Sequence, residues 1–76
     1  MQFIFTQHWK QKKEERRDIT IAAIEFAIMH STPIRDRHWQ NALNAIYRIP
    51  PSGRLLKVVY RREGQSIKII TAYWLE

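Results

Sequence analysis

The sequence predicts an α+β fold, with two N-terminal helices packed on one face of a small antiparallel sheet of three to four strands. Three observations carry this expectation. Apolar residues recur at helical spacing ahead of Pro33, and they recur at strand spacing after about Trp39. In the closing run RLLKVVYRREGQSIKIITAYW, a Glu-Gly turn joins two β-rich stretches. Helices gathered ahead of strands give a segregated order, which favours α+β over an alternating α/β arrangement. At 76 residues the chain is one domain. A chain this short buries only about 60% of its unfolded surface, so a deep active site between domains is excluded.

The opening QFIFT is a short edge-strand candidate, after which Thr6 can cap a helix from Gln7 to Arg17. Trp9 is the only large apolar residue of that helix, so it can dock only by this ring and by aliphatic stems such as those of Lys13 and Arg16. A second helix starts at Thr20, which stands at an N-cap, with Ile19 and Ile24 at the two positions of a hydrophobic staple. Ile21, Ile24 and Ile28 share one face, Phe26 and Met29 broaden it, and Pro33 ends the helix because proline disfavours helical geometry at Thr32.

Strand character follows. Asn41 to Ile49 approaches a Pro-Pro-Ser-Gly turn, and its Ile46, Tyr47 and Ile49 suit a strand. Leu55 to Arg62 and Ile67 to Leu75 are richer in β-branched and aromatic residues, and Gly64 between them can supply a left-handed residue. These three make an antiparallel meander. Alternation puts Leu56, Val58 and Tyr60 toward the helices and Lys57, Val59 and Arg61 on the other side. In the last strand, Ile67, Ile69, Thr71 and Tyr73 form one set and Lys68, Ile70, Ala72 and Trp74 the other. Period alone leaves open whether Thr71 and Tyr73 join the face of Lys57 and Arg61.

Thirteen Lys and Arg against seven acids give a net charge of +6, a balance that favours polyanionic partners through counterion release and steering. The excess is concentrated after residue 38, where six basic residues meet two acids. The absence of cysteine excludes disulfides, thiolate nucleophiles and Cys-based zinc sites. No signal-like start and no apolar run near the ~20 residues of a membrane span is present, so a cytoplasmic protein without a membrane partner is expected. His8, His30 and His38 form no pair at i, i+4 and have no helical carboxylate companion, so neither a metal nor a cofactor is expected. With no Gly-rich phosphate loop and no G-x-S-x-G elbow, nucleotide hydrolysis and acyl transfer are unsupported.

His8 at a helix start, Lys12 and Arg16 one and two turns later, the Asp-Ile-Thr run before the second helix and the closing LKVVYRREGQSIKIITAYW together resemble the family called domain of unknown function 4258. The resemblance covers most of the chain. That family is usually grouped with the RelE-like toxin fold, alongside the barnase, EndoU and colicin-type ribonucleases. The grouping implies a single RelE-like domain, metal-independent cleavage of RNA and an antitoxin partner, and it points to the Thr71 and Tyr73 end of the chain.

The residue types suit that chemistry in their own right. Cleaving RNA through its own 2′-hydroxyl needs a base for that proton, cations for the crowded phosphorane and an acid for the departing 5′-oxygen. His8 is the proton-transfer candidate because histidine titrates near physiological pH, and Lys12 and Arg16 follow it at i+4 and i+8 as a basic ridge. Against this stands a solvated helix face on which Glu14 and Glu15 offset the charge. Arg54, Lys57 and Arg61 can hold phosphate from the sheet, though a charged sheet edge also serves only to resist aggregation. Thr71 and Tyr73 can donate to a phosphate or join in proton transfer, though both are ordinary strand residues. The cluster Arg35, Asp36, Arg37, His38 and Trp39 can bind a phosphate and stack a base, but a local ion-paired turn with Trp39 closing the core is the expectation. Trp9 and Trp74 are expected to pack. The functional expectation is therefore an RNA endonuclease using His8, Arg61, Thr71 and Tyr73, with Lys12, Arg16, Arg54 and Lys57 holding RNA. The alternative is a non-catalytic basic module binding nucleic acid or an acidic protein.

Overall fold

The structure is a computed structural model that describes residues 2–5 and 18–75. Helix α1 spans Ile21–His30. Thr20 is extended, and its hydroxyl accepts the Ala23 N–H at 3.1 Å, which satisfies one donor that a helix start otherwise leaves bare. Ile19 and Ile24, the staple pair, are both buried. The helix stops at His30, where the extended Ser31 donates its N–H to the Ala27 carbonyl at 3.0 Å, two residues ahead of Pro33.

Five strands build the sheet: β1 (Gln2–Phe5), β2 (Ile34–Arg35), β3 (Leu43–Ile49), β4 (Arg54–Glu63) and β5 (Ser66–Trp74). Their spatial order is β1-β5-β4-β3-β2. Strands β3, β4 and β5 form the antiparallel meander. Its second hairpin is tight, because Glu63 pairs with Ser66 across Gly64, whose φ of 62° suits a two-residue turn.

The expected sheet of three to four antiparallel strands is corrected in two respects. Strand β1 lies parallel to β5, and β2 adds a two-residue edge beside β3, so the sheet is five-stranded and mixed. Side-chain alternation is the same in parallel and antiparallel strands, so QFIFT carried no sign of its direction. Two residues are too few to display a period at all. The helix expected over residues 7–17 lies outside the described residues, which contain one helix rather than two.

Ile24, Ile28, Ala23 and Ala27 pack with Leu56, Val58, Tyr60, Ile67 and Ile69 in one buried cluster, so the apolar set of β4 faces the helix as its alternation indicates. Ile21 does not join them and is 53% exposed. At 3.6 residues per turn it lies about 90° around the axis from the centre of the buried stripe, and the two alanines fill the stripe in its place.

One irregularity settles the faces of β5. Val59 pairs with Thr71 but Tyr60 pairs with Ile69, which leaves Ile70 as the extra residue of a β-bulge. A bulge inverts the alternation beyond it. Ile67 and Ile69 face α1 before it, Ala72 and Trp74 face α1 after it, and Thr71 and Tyr73 turn to the opposite side.

Candidate nucleic-acid interface

The bulge gives the sheet face turned away from α1 its composition. Lys57 is in register with Tyr73, Val59 with Thr71, and Arg61 with Lys68, so cations and hydroxyls of neighbouring strands share one side. The Lys57 ammonium lies 5.7 Å from the centre of the Tyr73 ring. At the hairpin end, Glu63 holds Lys68 at 3.2 Å and Arg61 at 3.8 Å, through separate carboxylate oxygens. The Nε of Arg61 is enclosed and makes no hydrogen bond among the described residues. Lys57, Arg61 and Tyr73 are half-buried, and Thr71 is buried.

Of the residues singled out in the sequence, the structure therefore brings Lys57, Arg61, Thr71 and Tyr73 to one face. Arg54 is not among them. It pairs with Ile49 on the α1 side of the sheet, where its guanidinium meets Asp18 at 3.3 Å and lies 4.2 Å over the Trp74 ring. The Trp74 indole N–H donates to the same Asp18 oxygen at 2.9 Å. His8, Lys12 and Arg16, with Trp9, lie outside the described residues.

The connection from β2 to β3 departs from its expected form. Asp36 does not pair with its arginine neighbours, because one of its oxygens accepts the backbone N–H of His38 at 2.8 Å and of Trp39 at 2.7 Å. Carboxylates after a strand commonly close such turns on the backbone two and three residues on. Two backbone bonds complete the loop, Asp36 N–H to the Ala42 carbonyl at 3.0 Å and Ala42 N–H to the Trp39 carbonyl at 3.2 Å. Asn41 supplies a left-handed residue, φ 60°, a geometry asparagine tolerates better than most. Burial works to raise the Asp36 pKa, but it is outweighed by the Trp39 and His38 N–H groups, the Asn44 side chain and the Lys57 charge, and the net shift is downward.

The same closure leaves the basic side chains outside. Among the described residues neither Arg35 nor Arg37 enters an ion pair. Trp39 does not close the core, since it is 41% exposed. Residues 35–41 instead surround a hollow of about 410 Å³. A second hollow of about 200 Å³ is lined by Ile34, Asn44 and Lys57 as well as Arg35 to His38, and Lys57 connects it to the face that carries Tyr73. Asn44 is 7% exposed, and its carbonyl oxygen has no hydrogen-bond partner among the described residues.

Asn44 and Lys68 had no signal in the sequence beyond their alternation, because their neighbours come from other strands. The Asp36 turn did have one, an aspartate followed at the right spacing by free backbone donors. Among the described residues no group of three or more His, Asp or Glu side chains comes together as a metal site, and no helix is long and apolar enough to cross a membrane. No family model, no curated protein and no solved structure matches the chain.

Proposed function

We propose that this chain is an RNA endonuclease of the toxin-antitoxin kind, acting in the cytoplasm without a metal and holding its phosphodiester on the face that carries Lys57, Arg61, Thr71 and Tyr73. The observation that supports this most is the bulge at Ile70, which turns the two hydroxyl residues to the side of the two cations. Arg61 is suited to two-pronged contact with phosphate oxygens, and Lys57 supplies a second charge. The Tyr73 hydroxyl donates to the phosphate, while Thr71, being buried, holds the strand and not the substrate. In the cleavage step His8 removes the 2′-hydroxyl proton, the 2′-oxygen bonds to phosphorus, the bond from phosphorus to the 5′-oxygen breaks, and the 5′-oxygen leaves with a proton supplied by water. The products are a 2′,3′-cyclic phosphate and a free 5′-hydroxyl. An antitoxin would act by covering this basic face.

The test is cleavage of RNA by purified protein with chelator present, scored by the cyclic phosphate end. His8→Ala should lower the rate by roughly two to four orders of magnitude while leaving folding and RNA affinity nearly intact. Affinity should fall with salt, with a logarithmic slope of about 0.7 per neutralised phosphate for a single strand. Salt-dependent binding without any cleavage would leave a non-catalytic RNA-binding module. No binding at low salt would remove the nucleic-acid reading altogether.

A further inference from the structure

We propose that the hollow formed by residues 35–41, with Asn44 and Lys57 beside it, is a nucleotide subsite that stacks one unpaired base on Trp39 and holds the adjoining phosphate with Arg37 and Lys57. The proposal rests on the RNA-binding reading above and names where, beyond the scissile phosphodiester, the strand is held.

Four features converge on it. The loop is already ordered by its own bonds, with Asp36 gripping two backbone N–H groups and Ala42 bonded at both its N–H and its carbonyl, so little ordering remains for a ligand to impose. That arrangement commits the aspartate to the backbone and leaves the guanidinium groups of Arg35 and Arg37 without an acid among the described residues. The Trp39 indole lies at the rim and is 41% exposed, so part of its surface is open to a base. Finally, Lys57 lines an adjoining hollow together with Arg35 and Arg37, so a third cation stands beside the two arginines. A simple anion would engage the cations and make no use of the exposed indole, which is why the ligand is assigned as a nucleotide rather than a phosphate. Lys57 lines the adjoining hollow and also sits beside Tyr73, so a strand leaving the subsite passes onto the face proposed for cleavage.

The experiment measures affinity for a short single-stranded 2′-O-methyl oligoribonucleotide, which cannot be cut through its 2′-oxygen. Trp39→Ala should weaken binding by about 5- to 150-fold, as loss of one stacked base does elsewhere, and Trp39→Phe should retain most of the affinity. Arg37→Ala should flatten the logarithmic salt slope by about 0.7. An oligonucleotide carrying abasic sites keeps every phosphate, so it should bind the unmodified protein as weakly as the intact strand binds Trp39→Ala, with no change to the fold in question. The subsite is overturned if Trp39→Ala and the abasic strand both leave affinity unchanged. Should Arg61→Ala still weaken binding in that case, only the subsite falls and the sheet-face reading stands. If the unmodified protein binds no oligonucleotide at low salt, both fall.

Discussion

Two parts of this molecule use the same three residue types in opposite ways. At one end of the sheet, Asp18, Arg54 and Trp74 satisfy one another: the carboxylate takes the guanidinium and the indole N–H, and the guanidinium covers the ring. On the β2–β3 connection, Asp36 takes backbone N–H groups instead, so Arg35, Arg37 and the Trp39 ring stay on the surface around a hollow. The first arrangement is closed and ties the segment ahead of α1 to β4 and β5. The second is open and presents its groups outward. What an arginine beside a tryptophan does is thus set by where the nearby acid directs its oxygens.

Substituting the two tryptophans gives the largest contrast. Trp74→Ala should cost roughly 2 to 3 kcal/mol in urea unfolding, less than a fully buried tryptophan because Trp74 is half-buried, and RNA affinity should hardly move. Trp39→Ala should change stability by no more than about 0.5 kcal/mol. Equal destabilisation by both would break the distinction between a closed and an open group.

Removing the acids should have smaller effects. Asp36→Ala leaves two backbone donors without a protein acceptor and should cost about 1 kcal/mol, comparable to the loss of a helix cap, with RNA binding weakened as the loop loosens. Arg54→Ala should cost about 0.5 to 1 kcal/mol, since its ion pair is exposed and the stack on Trp74 is the larger part of its contribution. If Arg54→Ala instead weakened RNA binding as strongly as Arg61→Ala, the α1 side of the sheet would also have to touch RNA.

The smallest effect is on pH dependence. The Asp36 pKa lies below its ordinary value of 3.8 in the folded chain, so the folded state binds this proton less readily than the unfolded state. The stabilisation is therefore present above about pH 4 and fades as pH falls through the lowered folded value. Acid unfolding of Asp36→Asn should lack this component, which a comparison of midpoints from pH 6 down to pH 2, roughly spanning the carboxylate range, would detect.

Much of the scaffold was legible in the sequence. Thr20 with Ile19 and Ile24 marked the helix start, Pro33 bounded its end, and Leu56, Val58 and Tyr60 marked the covered side of β4. Each of these signals lies within a few residues of the feature it specifies. The candidate site was legible only in its residue types. Lys57, Arg61, Thr71 and Tyr73 stood out by chemistry, yet the last two changed sides at a bulge that strict alternation cannot announce. Trp39 was expected in the core because a large aromatic beside apolar strands usually packs, and the Asp36 turn carried it outward instead.

Taken alone, the sequence determined the capped helix, the meander with its Gly64 hairpin, the basic excess and the covered face of β4, because local propensity and period act over four or five residues. Tertiary structure decided the parallel seat of β1, the short edge β2, the inversion at Ile70 and the closing of Asp18 on partners 36 and 56 residues away. The reason is that strand direction, register and long-range pairing are set by which side chains meet across the sheet. That choice minimises exposed apolar surface and unpaired polar groups over the whole fold at once.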